Sequence, residues 1–197
     1  MNSHHIYPVE LLSKELKEKH LTQRAKVIWF TGLSGAGKTT LGQRLEKELF
    51  ARGFLCQILD GDNIRSGINK NLGFSEDDRV ENIRRVAEVA KLFLNCGIIT
   101  INCFIAPTHQ IREMAASIVG NQNLIDVFID APMSVCEDRD TKGLYRLARA
   151  GKIQQFTGVN SVFEPPVNPS IRIQTDIFTI DQCVDLLLDK IIPEISF

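Results

Sequence analysis

The stretch Gly32-Leu33-Ser34-Gly35-Ala36-Gly37-Lys38-Thr39 combines small residues with a lysine and a hydroxyl in the order Gly-x-x-x-x-Gly-Lys-Thr. Small residues let successive backbone N–H groups turn toward one centre, which suits an anion with several oxygens. A lysine at the start of the following helix adds charge to the outer phosphates, and a neighbouring hydroxyl can ligate a hard divalent cation. The chemistry implied is the holding of a nucleoside triphosphate by residues Gly32, Leu33, Ser34, Gly35, Ala36, Gly37, Lys38, Thr39 and Thr40, with Lys38 catalytic and Thr39 as the ligand of Mg²⁺. The loop specifies a nucleotide and not a reaction. A GTP-hydrolysing switch uses the same loop together with Asn-Lys-x-Asp, and Asn69-Lys70-Asn71-Leu72 lacks the acid and follows the loop too closely.

A second group of chemical residues reads Leu59-Asp60-Gly61-Asp62-Asn63-Ile64-Arg65. Asp60 could orient or deprotonate an acceptor hydroxyl or hold metal-bound water, and Arg65 could meet an anion; a solvated polar turn is the plain alternative. Phe74, Arg79, Asn82, Arg84 and Arg85 follow closely, and a cationic segment runs from Lys142 through Arg146 and Arg149 to Lys152. Cations clustered in an otherwise balanced chain suggest a lid near 142–160 that closes over a phosphorylated ligand and excludes water.

These groups need a scaffold that brings loop ends together. Short apolar runs at Val27–Thr31, Leu55–Leu59, Ile98–Phe104, Leu124–Ile129 and Ile171–Gln174 alternate with helical stretches near 38–52, 79–96, 109–118, 133–139, 143–150 and 180–190. That alternation predicts a three-layer α/β fold: a short, mainly parallel central sheet with helices on both faces, in the manner of P-loop NTPases. In such folds ligands bind at the carboxyl edge of the sheet, where both polar motifs fall. Val80, Ile83, Ala87, Ala90 and Leu94 keep one apolar helical face, and Gly97 supplies a stop. The segment 151–170, with Pro165, Pro166 and Pro169, reads as loop. Residues 1–25 read as an N-terminal arm with Leu11, Leu12, Leu16 and Leu21 at loose helical spacing, and 26–197 as one domain.

The chain has 197 residues and a formal net charge of -1, which suits one compact core and removes the global basic field expected of a nucleic-acid binder. Five widely spaced cysteines form no Cys-x-x-Cys pair, so buried, reduced thiols are expected. Adjacent His4 and His5 without a third ligand read as solvated. No apolar signal core or run of about 20 apolar residues appears, which excludes a membrane span and makes a cytoplasmic protein the expectation.

The motifs together resemble the adenylylsulfate kinases. The resemblance runs from Val27 to Thr175 and rests on Trp29-Phe30-Thr31-Gly32-Leu33-Ser34-Gly35, the Asp60–Arg65 segment, Asn69-Lys70-Asn71-Leu72-Gly73-Phe74, Asp78-Arg79-Val80-Glu81-Asn82-Ile83-Arg84-Arg85, Lys142-Gly143-Leu144-Tyr145 and Phe156-Thr157-Gly158. It implies transfer of a phosphoryl group from Mg-ATP to the 3′-hydroxyl of adenylyl sulfate, and a homodimer. It further implies that Arg65, Arg79 and Asn82 bind the phosphosulfate and ribose, that Phe74 and Phe156 stack on the adenine, and that Asp62, Asn63, Ile105 and Ala106 complete the acceptor site. Lys38 and Lys142 would neutralise the transferred group, Asp60 would place the hydroxyl in line, and Arg149 would lie near ATP. Other small-molecule P-loop kinases and a non-catalytic nucleotide-binding relative remain the alternatives.

One departure from the family pattern affects mechanism. Where the family usually reads Phe-Ile-Ser-Pro, this chain reads Phe104-Ile105-Ala106-Pro107. Ala106 cannot carry a phosphate, which leaves direct transfer, and the lost hydroxyl costs about 0.5–1.5 kcal/mol, roughly tenfold in rate or affinity. Thr108-His109 also replaces an aromatic-plus-polar pair, and His109 is expected at the surface rather than in catalysis.

Overall fold

Two strands read as unbroken apolar runs because they are covered on both faces. In the computed structural model, which describes Tyr7 and residues 9–197, β1 (Val27–Thr31) and β3 (Ile99–Cys103) are buried at every position. With β2 (Cys56–Asp60), β4 (Leu124–Asp130) and β5 (Ile171–Gln174) they form a five-stranded sheet in the order β2-β3-β1-β4-β5, and every strand pair is parallel. The register Phe30↔Cys103 and Phe30↔Val127 brings the carboxyl ends of β1, β3 and β4 to one edge. β1 lies at the centre with β3 and β4 on its two sides, so the chain changes direction beside the loop that leaves β1.

Alternation along β1 sends Ile28 and Phe30 to one core and Val27 and Trp29 to the other. The first core is closed by α2 (Lys38–Ala51) and α8 (Ile180–Ile195) through Leu41, Leu45, Leu49, Leu187 and Ile191. The second is closed by α4 (Glu76–Asn95) and α5 (His109–Val119) through Ile83, Val86, Ala90, Ile111 and Ala115. This is the three-layer arrangement expected from the alternating pattern. Two short helices, α6 (Met133–Arg139) and α7 (Leu144–Arg149), follow β4.

The differences from the sequence expectation lie at element ends. Helix α4 begins at Glu76 rather than near 79, capped by the Ser75 hydroxyl, which accepts from the Asp78 N–H. An additional helix, α3 (Gly61–Ser66), fills the expected polar turn; Asp60 caps it by accepting from the Asp62 N–H at 3.0 Å. Helix α8 continues five residues past the expected end. Of the cysteines, Cys103, Cys136 and Cys183 are buried, but Cys56 is half-buried and Cys96 exposed; all five are free thiols. His4 and His5 lie outside the described residues.

The arm's leucines fall at loose helical spacing, and the helix there, α1 (Lys14–Leu21), leaves Leu16 exposed, half-buries Leu21 and buries Glu18. Its docking is polar. Glu18 Oε1 accepts from the Ala25 N–H at 2.6 Å, and the buried Gln23 side chain donates to the carbonyls of Leu55 and Gly97 while accepting from the Leu55 N–H. Removing this amide leaves the buried Gly97 carbonyl and the part-buried Leu55 N–H unpaired, while the Leu55 carbonyl keeps the Ile99 N–H. Gln23→Ala is therefore expected to lower unfolding stability by about 2–4 kcal/mol, measured by urea denaturation with an unchanged slope.

Candidate active site

The loop between β1 and α2 can follow its path only because two positions lack side chains. A Cβ on Gly32 would stand 2.4 Å from the Ile129 carbonyl oxygen, and one on Gly35 would stand 2.7 Å from that of Cys136. The loop thus lies directly against the β4 exit and α6. Arg139, on the last turn of α6, holds it from outside by donating to the carbonyl of Gly35 and to both the hydroxyl and carbonyl of Thr175, just after β5. Thr175 in turn donates to the Ala36 carbonyl at 2.8 Å.

Inside the loop, Lys38 donates to the carbonyls of Gly32 and Leu33 at 2.8 and 2.7 Å. Burial pushes its ammonium down to about 8, so the charge is held at some cost and gains from phosphate oxygens. The Thr39 hydroxyl donates to Asp60 Oδ2 at 2.7 Å while Asp60 Oδ1 caps α3. A hydroxyl that donates to a carboxylate keeps its lone pairs for a cation. Thr39 and Asp60 together supply the hard oxygens that suit Mg²⁺, which takes few protein ligands and fills its shell with water and phosphate.

A cavity of about 1060 Å³ opens from this loop across the carboxyl edge of the sheet, ample for two nucleotides. It brings together Ser34, Gly35, Gly37, Lys38, Thr39 and Thr40 at one end with Arg65, Phe74, Arg79, Asn82, Ile105, Ala106 and Phe156 at the other, and Asp60, Asp62 and Lys142 between them. Arg65 and Arg79 are half-buried, and burial lowers both guanidinium pKa values; the charge of Arg79 adds to the effect on Arg65. Two desolvated cations beside each other favour an anion bearing more than one charge.

Arg65 lies over the Phe74 ring, 4.5 Å from its centroid, and donates to the Gly73 carbonyl at 2.8 Å. Arg79 donates to the Phe74 carbonyl, to the Thr157 hydroxyl and to the Gln155 carbonyl, which ties the start of α4 to the segment after α7. Lys142 pairs with Asp62 at the exposed mouth. The two aromatics differ: Phe74 is 63% exposed, whereas Phe156 is 8% exposed and packs edge-on against Tyr145, with ring centroids 4.9 Å apart. Tyr145 donates to the Ser34 carbonyl at 3.0 Å, so α7 is attached to the phosphate loop through its hydroxyl.

Of the predicted site residues, Gly32, Leu33, Ala36, Asn63 and Arg149 do not line the cavity; Leu33 and Ala36 are buried. Asn63 is exposed, and Arg149 makes paired hydrogen bonds to Glu137 at 2.9 Å each. Three contributors escaped sequence reasoning. Arg139 and Thr175 stand alone in sequence; the carboxyl-edge rule applied to the end of β5 marks Thr175, whereas Arg139, at the end of α6, carries no such signal. Asn69 accompanied a motif, but its role is tertiary: its amide donates to Asn82 Oδ1 at 3.0 Å, leaving the Asn82 NH₂ as the donor for the cavity.

The Lys38 environment makes nucleotide binding proton-linked. Phosphate charge raises the ammonium pKa, so binding at pH 8 is expected to take up about half a proton, with affinity falling as pH rises further. Calorimetry in buffers of different ionisation enthalpy measures the uptake, which Lys38→Met removes.

The adenylylsulphate kinase family profile matches residues 24–174. The adenylyl-sulfate kinase of Bacteroides thetaiotaomicron is 55% identical over 98% of this chain and 96% of its own length. That of Clostridium kluyveri is 50% identical over 91% and 89%. Among solved structures, the Mycobacterium tuberculosis APS kinase in complex with AMPPNP and APS superposes with a TM-score of 0.82 at 41% identity, covering 85% of this chain and 98% of that one. A gluconokinase from Sinorhizobium meliloti, at 17% identity and a TM-score of 0.56, shares the fold alone. With its phosphate loop, parallel sheet and continuous cleft alongside these likenesses, the chain belongs to the adenylylsulphate kinase family.

Proposed function

We propose that the protein transfers the γ-phosphoryl group of ATP to the 3′-hydroxyl of adenylyl sulfate, producing 3′-phosphoadenylyl sulfate and ADP. The observation that carries this reading is the single cavity in which the phosphate loop faces paired arginines and an aromatic pair across Asp60. Relatives at about half identity over nearly the whole chain bear the adenylyl-sulfate kinase name, and the mycobacterial relative was solved with both ligand types.

In this reading the backbone N–H groups of residues 32–40 hold the ATP phosphates, and Lys38 and Lys142 meet the charge on the group in transit. Arg65, Arg79 and Asn82 hold the phosphosulfate and ribose, Phe74 and Phe156 flank the adenine, and Asp62, Ile105 and Ala106 complete the acceptor side, whereas Asn63, exposed and outside the cavity lining, takes no part in it. Asp60 orients the 3′-hydroxyl, whose oxygen forms the new bond to the γ-phosphorus as the bond to the β–γ bridging oxygen breaks and ADP leaves. The hydroxyl proton is released. Thr39, oriented by Asp60, would hold Mg²⁺, which supplies charge neutralisation to the phosphates when bound. Ala106 has no hydroxyl, so no phosphorylated residue at that position intervenes.

The reading extends to a lid near 142–160, with Arg149 approaching ATP once Glu137 releases it, to a catalytic unit spanning 26–197 preceded by an arm at 1–25, and to a cytoplasmic homodimer. Among the described residues no helix is long and apolar enough to cross a membrane. The cleft carries its own positive charge in a chain of net charge -1, which fits small polyanions rather than nucleic acid.

The test is an assay of purified protein with Mg-ATP and adenylyl sulfate that follows ADP and 3′-phosphoadenylyl sulfate together. Equal amounts of both are expected, with a loss of about a thousandfold or more in Lys38→Ala, and no product from AMP or gluconate as acceptor. ATP-binding protein that forms neither product would reject the substrate assignment. Arg65→Ala is expected to raise KM for adenylyl sulfate about a hundredfold while leaving KM for ATP within about twofold.

A further inference from the structure

Ala106 occupies a conformation that its sequence context disfavours. Its φ is 42°, in the left-handed region, and it is one of two non-glycine residues with positive φ among those described. It also precedes Pro107, and residues before proline are pushed toward extended backbone by the ring. Such a conformation costs about 1–3 kcal/mol and persists only where neighbours over-determine it. Ala106 is buried, and together with Ile105 and Pro107 it lines the acceptor end of the main cavity.

The groups that hold it come from two other places in the chain. Arg112, one turn into α5, donates from Nη1 to the Ala106 carbonyl at 2.8 Å. Its Nη2 lies 3.0 Å from His109 Nδ1, which serves as acceptor because a guanidinium can only donate. Glu164, from the segment after the proposed lid, donates its N–H to the Pro107 carbonyl at 2.8 Å and accepts the His109 N–H at 2.6 Å through Oε2. Two successive carbonyls, of residues 106 and 107, are therefore held by a guanidinium and a peptide N–H. At its other end the loop is tied to the sheet by the Phe104 N–H, which donates to the Phe30 carbonyl at 3.2 Å.

The geometry points to Arg112 and Glu164 as positioning residues for adenylyl sulfate: they hold residues 105–107 in a strained path so that main chain and the Ile105 side chain shape the acceptor pocket. A serine at position 106 would bring its own hydroxyl to the site. This chain has only a methyl group there, so the contribution of the loop depends on where its backbone lies. A single guanidinium–carbonyl bond is worth more than a neutral one and fixes orientation through a planar fork, which explains the use of arginine at position 112. The inference rests on the acceptor assignment proposed above. Neither residue lines the main cavity, so both act through the loop.

The test is steady-state kinetics of Arg112→Met, Arg112→Lys and Glu164→Ala beside the wild type, with melting temperature recorded for each. Arg112→Met is expected to raise KM for adenylyl sulfate at least about tenfold, with KM for ATP within about twofold. Arg112→Lys, which restores one donor to the Ala106 carbonyl, is expected to recover part of that loss, an effect that general destabilisation would not produce. Glu164→Ala keeps the peptide N–H bond and frees His109, so a smaller rise of the same kind is expected, and it stands as the test should Arg112→Met not fold. An active wild type with unchanged KM for adenylyl sulfate in the folded variants, or with KM for both substrates raised equally, would overturn the positioning role alone. A wild type that makes no 3′-phosphoadenylyl sulfate would overturn the acceptor reading beneath it, and the inference with it.

Discussion

The structure depends on a close approach of backbone to backbone at the end of β1. The phosphate loop lies against the exits of β4 and α6, with room for hydrogen but not for a methyl group at Gly32 and Gly35. From this contact follow the inward path of the loop, the start of α2 at Lys38, and the return of that lysine to the carbonyls of Gly32 and Leu33. The contact also explains why α6, α7 and β5 must sit where they do. Arg139, Thr175 and Tyr145 each bond to a loop carbonyl from a different element. A loop of small residues has little intrinsic preference for one shape, so it is braced by polar groups on neighbouring elements.

The scaffold was largely legible in sequence because its determinants are local and repetitive. Five apolar runs gave five strands to within a residue or two, and the face of α4 from Val80 to Leu94 was visible as periodicity. The ends were less legible. The first turn of α4, Glu76-Asp77-Asp78, has no apolar position, and its signal was the Ser75 cap and the acidic charge at a helix start. Helix α3 has no buried residue and was indistinguishable from a polar turn except through Asp60 as its cap. Helix α1 carried little pattern signal. Its leucines are only loosely spaced, and its strongest ties are the hydrogen bonds of Glu18 and of Gln23 just beyond it, which have no periodicity to detect.

The site divides along the same line. Residues within contiguous motifs, from Gly32 to Thr39 and from Asp60 to Arg65, stand out because their chemistry and their spacing coincide, and Ser34, Gly35, Gly37, Lys38, Thr39, Asp60, Asp62 and Arg65 among them line the cavity. Arg139, Thr175, Arg112 and Glu164 are single residues whose partners are distant in sequence; Glu164 and His109 are 55 positions apart. Nothing in composition or spacing marks such a pair, because the relation exists only after the sheet has placed the two loops side by side. Ala106 illustrates the limit from the other direction. Its identity was visible as a missing hydroxyl, but its positive φ, and hence its need for external support, was not.

Charge explains why these supports are gathered at one edge. The cavity is lined by five cationic side chains, Lys38, Arg65, Arg79, Arg139 and Lys142, against the carboxylates of Asp60 and Asp62. An excess of like charge in a partly buried cleft is unfavourable for the folded chain without an anion, and the protein limits that cost by giving the cations internal acceptors. Lys38 uses loop carbonyls, Arg65 the Gly73 carbonyl and the Phe74 face, Arg79 the segment at 155–157, and Lys142 the Asp62 carboxylate. Most of these acceptors are neutral carbonyls or hydroxyls, so anionic phosphate and phosphosulfate oxygens compete with them on favourable terms. Exchange of Arg79 and Lys142 from protein to ligand acceptors would alter the bonds that fix residues 155–157 and the mouth of the cleft. In the proposed reading, binding and movement of residues 155–157 would be coupled through the same side chains, and Glu164 ties the chain beyond them to Pro107 and His109.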